Sequence, residues 1–131
     1  QCLQGETVRL GNLSPTRDFT YVADTVEGFI CAAQSNDGVG KVINTGSGLE
    51  ISIGELVHKI ASLMNRSIEI RCEKSRVRPD DGEVERLCAA NRQAKELLGW
   101  EPAYTLVEGL RLTIEWIREH REYYRPEDYV I

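Results

Sequence analysis

The stretch 40-GKVINTGSGLEISIGELVHKIASLM-64 combines an apolar segment, a glycine loop and an amphipathic helix. Residues 41–44 are predicted to form a short apolar strand. Ser52 and Glu55 have the spacing of a capping box, so we expect a helix that starts at Ile53. Its buried face is predicted from the apolar spacing to hold Ile53, Leu56, Val57, Ile60, Leu63 and Met64. A strand, a glycine loop and a helix in this order also open dinucleotide-binding units.

The glycine loop departs from the dinucleotide-binding pattern. That pattern needs three glycines as G-x-G-x-x-G, placed directly before the helix. Gly46 and Gly48 are present, but Ile51 stands where the third glycine belongs. The predicted helix also starts well after Gly48, so its N-terminal amides would not face a phosphate at the glycines. We therefore favour a tight turn over a cofactor loop.

The flanking sequence continues the alternation of strands and helices. Strands are predicted at 7–10, 16–22 and 67–71, with an extended piece at 83–89. Asp24 is predicted to cap a helix to about residue 34, with Val26, Ile30 and Ala33 as its buried stripe. Asn91 is predicted to cap a helix through Leu98 that ends at Gly99. Thr105 and Glu108 form a second capping box before a helix to about residue 120. Four helices alternating with short strands indicate an α/β domain spanning residues 1–131.

Composition and charge argue against several classes of function. The 131 residues carry a net charge of −5, from 16 basic and 21 acidic side chains, so we expect neither nucleic-acid nor anionic-membrane binding. No apolar run approaches the roughly 18–20 residues of a membrane span. The basic run 71-RCEKSRVRP-79 lacks interleaved aromatic residues, which argues against a nucleic-acid site, and its Arg71, Lys74 and Arg76 are interpreted as a solvated edge.

The cysteines and histidines give no sign of a metal or catalytic site. Cys2, Cys31, Cys72 and Cys88 are widely spaced and form no C-x-x-C, so we expect no metal. Cys31 and Cys88 have apolar neighbours and are predicted to be core thiols, in a reducing, cytoplasmic setting. His58 and His120 are predicted to be structural. No Tyr-x-x-x-Lys occurs, and we expect no catalytic residue in this chain.

Three motifs in order resemble one known family: 17-RDFTYVAD-24, 42-VINTGSG-48 and 78-RPDDGEVERLCAANRQAKELLGWEP-102. They are similar to the extended short-chain dehydrogenases/reductases, the NAD-dependent epimerases and dehydratases of nucleotide sugars. The pattern most resembles the sugar-nucleotide 4,6-dehydratases, and the 4-epimerases share its general form. In this family the cofactor loop and the catalytic residues lie upstream of these motifs. The resemblance therefore implies a C-terminal substrate-binding portion that lacks most of the Rossmann domain. The opening QCLQG, which resembles the last turn of a helix, agrees with a piece of a longer protein.

The resemblance also implies four substrate-binding residues. Arg17 and Arg78 correspond to the arginines that grip the substrate diphosphate, for which a guanidinium is well suited. Glu83 corresponds to a carboxylate that contacts the nucleoside, and Phe19 to an aromatic residue near the nucleotide. The alternatives are a local salt bridge of Arg17 to Asp18 or Asp24, a surface or capping role for Glu83, and a core position for Phe19.

The sequence thus predicts the C-terminal part of an NAD-dependent nucleotide-sugar 4,6-dehydratase or 4-epimerase. The chain would bind the diphosphate of a UDP-, GDP- or dTDP-linked sugar and be inactive alone. NAD would belong to the intact enzyme and its N-terminal cofactor domain, and would not bind this chain by itself. Bare apolar faces left by that domain lead us to expect a homodimer or strand exchange. The alternative function is a stand-alone, non-catalytic binding or self-association module.

Overall fold

The computed structural model describes residues 1–77 and 83–124. Its strands are β1 (Thr7–Leu10), β2 (Thr16–Asp18), β3 (Glu50–Ser52), β4 (Glu69–Cys72) and β5 (Arg86–Leu87). Its longer helices are α1 (Val22–Gln34), α2 (Ile53–Leu63) and α3 (Leu106–Glu119), with a π-helical segment at Ala94–Leu98. Short 3-10 turns lie at Lys74–Arg76 and Arg121–Tyr123. The predicted α/β class with short strands and four helices is confirmed.

The strands form two small sheets. β1 and β4 pair in parallel, with Thr7 opposite Glu69. In the second sheet the strand order is β3-β2-β5. β2 runs antiparallel to β3 and parallel to β5, so Arg17 has Ile51 as its partner on one side and Leu87 on the other. β2 is therefore the central strand of the sheet that carries Arg17.

Both predicted capping boxes are confirmed. The Ser52 hydroxyl accepts a hydrogen bond from the Glu55 N–H at 3.1 Å, and the Glu55 carboxylate accepts one from the Ser52 N–H at 3.0 Å. Thr105 and Glu108 repeat this arrangement at the start of α3. These reciprocal bonds satisfy N–H groups that the first helical turn leaves without partners. α2 then buries Val57 and Ala61.

The predicted start and buried face of α1 are wrong. The helix begins at Val22, and Asp24 lies inside it as a buried residue with 3 % of its surface exposed. Its carboxylate accepts hydrogen bonds from backbone N–H groups far along the chain and does not cap the helix. Val26 and Ile30 are 51 % and 43 % exposed. Nothing in the described part of the chain covers this side of the helix.

The predicted strand at 41–44 is also wrong, and three others are shorter or shifted. Residues 41–44 have no strand partner within the described residues, and a strand needs a neighbour for its backbone groups. β2 stops at Asp18, whose side chain accepts hydrogen bonds from the glycine loop. β4 covers Glu69–Cys72 in place of 67–71, and only Arg86–Leu87 of 83–89 pairs as a strand.

The structure defines the surroundings of Trp100, Asn91 and two of the cysteines. Trp100 is 2 % exposed and belongs to the core. The predicted helix after Asn91 is present, because residues 92–98 are helical, the Asn91 carbonyl accepts from the Lys95 N–H at 3.3 Å, and the helix ends at Gly99. The Asn91 side-chain amide donates to the Gly46 carbonyl at 3.2 Å. Cys31 is half-buried, whereas Cys88 is exposed and is not a core thiol. Within the described ranges, no helix has both the length and the apolar character to cross a membrane.

Candidate functional site

Arg17 and Glu83, two of the predicted substrate-binding residues, lie in direct contact. The Arg17 Nη2 donates to Glu83 Oε1 at 2.9 Å, and Nη1 donates to the Thr16 carbonyl at 2.8 Å. The two charged side chains are only 22 % and 16 % exposed. The surface pair Arg71–Glu69, by contrast, is 59 % and 60 % exposed. Arg17 therefore has an ion-pair partner, but the partner is Glu83 and not Asp18 or Asp24, which the alternative interpretation had named.

Phe19 lies at the edge of a large cavity. The cavity has a volume of about 810 Å³ and is lined by Phe19, Ile51 and His58 together with Lys59, Tyr104 and Leu106 among others. Phe19 is half-buried. It is therefore neither a core residue nor a free surface residue, and its ring forms part of a wall that a planar ligand could contact.

The cavity borders the sheet that carries Arg17. Ile51 is the cross-strand partner of Arg17, and directly opposed residues of paired strands project to the same face. Ile51 lines the cavity, and so does Phe19, two residues after Arg17. Neither Arg17 nor Glu83 is among the described residues that line it. The ion pair therefore lies beside the cavity and not within it.

Asp18 organises the glycine loop. Its carboxylate accepts hydrogen bonds from the Ser47 N–H (2.9 Å), the Ser47 hydroxyl (2.6 Å), the Gly48 N–H (2.9 Å) and the Ala89 N–H (3.1 Å). Partial burial acts to raise the pKa of Asp18, but the hydrogen bonds from Ser47, Ala89 and Gly48 outweigh it and place the pKa below its ordinary value. Asp18 thereby ties β2 to the loop and to the chain after β5.

The bonds to Asp18 explain why the glycine loop does not fit a dinucleotide. A phosphate cradle offers its backbone N–H groups to the phosphate oxygens. Here the N–H groups of Ser47 and Gly48 are bonded to the protein's own carboxylate. A Cβ added at Gly46 would lie 2.3 Å from the Ala89 Cβ, so the loop is also packed closely against its neighbours. The loop is therefore a structural turn, and the N–H groups of Ser47 and Gly48 are not free to bind the pyrophosphate of NAD.

A second polar cluster holds the same sheet together. The Glu50 carboxylate accepts a hydrogen bond from the Thr16 hydroxyl at 2.6 Å and forms an ion pair with Arg86. Two hydrogen bonds lower the pKa of Glu50 below its ordinary value. The bond from Arg86 has the larger effect, followed by the bond from Thr16. These three residues come from β3, β2 and β5. The cluster therefore fixes the position of the strand that carries Arg17.

The remaining predicted site residue, Arg78, lies outside the described residues. His58 is exposed on α2 and borders the cavity. Within residues 1–77 and 83–124, no three His, Cys, Asp or Glu side chains gather as a metal site would require.

The roles of Asp18 and Asp24 were missed from the sequence. Both lie in the RDFTYVAD motif, which was the signal available. The partners of each carboxylate are between 29 and 80 residues away along the chain. No local spacing rule could have found them.

Comparisons with known proteins agree with this fold. The family model described as GDP-mannose 4,6 dehydratase matches residues 1–113. The chain belongs to this family. Its fold is accordingly that of the C-terminal portion of the extended short-chain dehydrogenases/reductases, as the motifs predicted.

Members with several activities are similar to this chain. It is 35 % identical over 117 residues to a UDP-glucose 4-epimerase of Mycolicibacterium smegmatis, covering 88 % of this chain and 36 % of the relative. It is 35 % identical over 131 residues to UDP-glucuronic acid decarboxylase 1 of Xenopus tropicalis, covering 99 % and 30 %. Decarboxylases were absent from the activities expected from the motifs.

A solved relative shows what one such protein binds. The structure of MoeE5 in complex with UDP-glucuronic acid and NAD aligns with a TM-score of 0.78 and 34 % identity, over 90 % of this chain and 38 % of that one. The chain thus spans about a third of the length of these family members. The family therefore includes proteins that bind a nucleotide sugar together with NAD.

Proposed function

We propose that this chain is the nucleotide-binding portion of a nucleotide-sugar-modifying enzyme and that Arg17 binds the diphosphate of the substrate. The observation that carries the proposal is the position of Arg17. It lies at the centre of the β3-β2-β5 sheet, half-buried, next to a large cavity lined by Phe19. An arginine held in such a place presents a fixed fork of donors that matches phosphate oxygens.

The substrate would lie across the face of the sheet. Its diphosphate would contact Arg17, and its nucleoside would extend towards Phe19 and the neighbouring cavity. Arg78 would add a second cation by the family resemblance. Glu83 would contact the nucleoside by the same resemblance. The binding energy of this remote part of the substrate would help to hold the sugar at the reacting centre.

NAD is assigned to the remainder of the enzyme. The N–H groups of Ser47 and Gly48 in the glycine loop are bonded to Asp18, so this loop does not offer them to the phosphates of the cofactor. MoeE5, at 34 % identity, binds NAD and is more than twice as long as the region aligned here. The overall reaction would be a 4,6-dehydration or a 4-epimerisation, and the similarity to UDP-glucuronic acid decarboxylases adds decarboxylation to the alternatives.

Calorimetric titration of the 131-residue chain with UDP, GDP, dTDP and NAD tests the proposal. We expect saturable binding of one nucleoside diphosphate, at least tenfold weaker in Arg17→Ala and unchanged in the control Arg9→Ala. Arg9 is a suitable control because it is an exposed arginine in an ion pair with Glu73. Binding of NAD, or equal binding by wild type and Arg17→Ala, would contradict the proposal.

The exposed side of α1 supports a missing partner domain. Val22, Val26, Phe29 and Ile30 follow helical spacing along one face and are between 43 % and 73 % exposed. Since family members are about three times as long as this chain, we propose that the cofactor-binding portion covers this face. An upstream coding sequence with a glycine fingerprint and a Tyr-x-x-x-Lys would support this. A start codon directly before Gln1 would contradict it.

The same exposed face favours a second candidate function. An uncovered apolar helix side of this kind would also drive self-association of the chain as a stand-alone module. Sedimentation velocity distinguishes the two functions when combined with Phe29→Ser. A homodimer that binds no nucleotide and dissociates in Phe29→Ser would favour the module. A monomer that binds a nucleoside diphosphate would exclude it.

A further inference from the structure

We propose that the Glu83 carboxylate occupies the phosphate position on Arg17 when substrate is absent, and that an incoming phosphate must displace it. The inference rests on the proposed function of Arg17. It concerns a different property of the same site, namely the cost of displacing an anion that the chain itself supplies.

The contact has the geometry of an anion held in the Arg17 fork. Glu83 Oε1 accepts from Nη2 at 2.9 Å, within the range of a charge-assisted hydrogen bond. A phosphate oxygen bound by the same N–H would need the same volume. Nη1 is bonded to the Thr16 carbonyl at 2.8 Å, so Glu83 contacts the terminal nitrogen that is not bonded to this carbonyl. A phosphate that binds this N–H of Nη2 therefore competes with Glu83.

The local surroundings favour a resident carboxylate. Arg17 is 22 % exposed, and a half-buried cation without an anion near it is costly. Glu83 supplies that anion from within the chain and keeps its effective concentration high. A ligand with one phosphate and a ligand with two must both displace this carboxylate from Nη2. Both therefore bind more weakly than they would to an Arg17 without an ion-pair partner.

This role differs from a contact between Glu83 and the nucleoside, which the family resemblance implies. A nucleoside contact predicts that loss of the carboxylate weakens the binding of nucleotides and does nothing to inorganic anions. A resident anion predicts that loss of the carboxylate strengthens the binding of inorganic phosphate and pyrophosphate. Inorganic anions contain no ribose and therefore separate the two roles.

The test compares wild type with Glu83→Gln and with the control Glu85→Gln. Glu85 lies two residues along the chain and is exposed, so its variant reproduces the change in net charge. Affinities for inorganic phosphate, inorganic pyrophosphate, UMP and UDP are measured by calorimetry at constant ionic strength, with GMP and GDP or dTMP and dTDP used if the chain prefers that base.

We expect Glu83→Gln to bind inorganic phosphate and the monophosphate roughly three- to fivefold more tightly, the scale of a partly exposed ion pair. Inorganic pyrophosphate and UDP should gain affinity by a similar factor, and Glu85→Gln should match wild type. Unchanged or weaker phosphate binding in Glu83→Gln, with diphosphate binding still lost in Arg17→Ala, would overturn this inference alone. Failure of every protein to bind any nucleoside diphosphate would overturn the proposed function as well.

Discussion

The indole nitrogen of Trp100 donates a hydrogen bond to the backbone carbonyl of Asp24 at 3.0 Å, although the two residues are 76 positions apart. The Asp24 carboxylate meanwhile accepts from the N–H groups of Ala103 (2.9 Å) and Tyr104 (3.2 Å). One buried residue of α1 therefore fixes the segment that leads into α3. That segment also supplies one wall of the cavity beside Phe19.

Replacement of Asp24 should loosen this segment. In Asp24→Asn, one of the two carboxylate oxygens becomes an amide N–H₂ that faces another donor. We expect a loss of about 2 kcal/mol in the free energy of unfolding, since a buried group loses its hydrogen-bond partner. Urea denaturation measures the change. The control Glu27→Gln, an exposed position on the same helix, should lie within about 0.5 kcal/mol of wild type, and an equal loss in both variants would contradict this account.

Replacement of Asp18 should be equally destabilising, because its two carboxylate oxygens accept hydrogen bonds from four donors. Asn at this position retains only one acceptor oxygen. We expect Asp18→Asn to lose about 2 kcal/mol of unfolding free energy at neutral pH. The exposed Asp37→Asn serves as the control. A stable Asp18→Asn would mean that the loop does not depend on this carboxylate.

The loss of unfolding free energy in Asp18→Asn should also depend on pH. The pKa of Asp18 is lower in the folded chain than its ordinary value. The stabilisation is therefore complete above the unfolded value, about 3.9, and is lost as the pH falls through the folded value. The difference in unfolding free energy between wild type and Asp18→Asn should stay constant from pH 7 to about 5 and narrow below about 4. A difference that stays constant down to pH 2.5 would contradict the assignment.

Gly46 is predicted to tolerate no side chain. A Cβ there would meet the Ala89 Cβ at 2.3 Å and the Asp18 Oδ2 at 2.9 Å, so the loop or the segment after β5 must move. We expect Gly46→Ala to cost about 1–3 kcal/mol of unfolding free energy and to weaken nucleotide binding. Gly5→Ala is the matched control, because its Cβ would meet only the Thr7 nitrogen at 4.0 Å. If thermal denaturation gave similar melting temperatures for both variants, close packing at Gly46 would be disproved.

Local signals in the sequence were sufficient for the parts of the fold that depend on local chemistry. The capping boxes at Ser52 and Thr105 each involve residues three positions apart, and the helices begin where those pairs predict. The resemblance of three motifs was enough to identify the family. Arg17 and Glu83 were selected through that resemblance, and they lie 66 positions apart in the chain but in contact in the structure.

The predictions that failed were those that depend on contacts between residues far apart in the chain. Aspartate is a residue type that often caps helices. Asp24 instead lies inside α1, where its carboxylate accepts hydrogen bonds from the distant N–H groups of Ala103 and Tyr104. Residues 41–44 have the pattern of a strand, yet a strand forms only where a neighbour supplies hydrogen bonds. Val26 and Ile30 have the spacing of a buried stripe, but no described element covers them. Each of these depends on a partner that local spacing does not specify.

The central claim is that a nucleoside diphosphate binds at Arg17, and side-chain NMR tests it most directly. Arginine Nε–Hε resonances are recorded while the best-binding nucleoside diphosphate is added, and Arg17→Lys assigns the signal of interest. The account predicts that the Arg17 resonance moves with the ligand concentration while those of Arg9 and Arg71 stay in place. A saturating ligand that leaves the Arg17 resonance unmoved would show that the nucleotide binds elsewhere and would contradict the account.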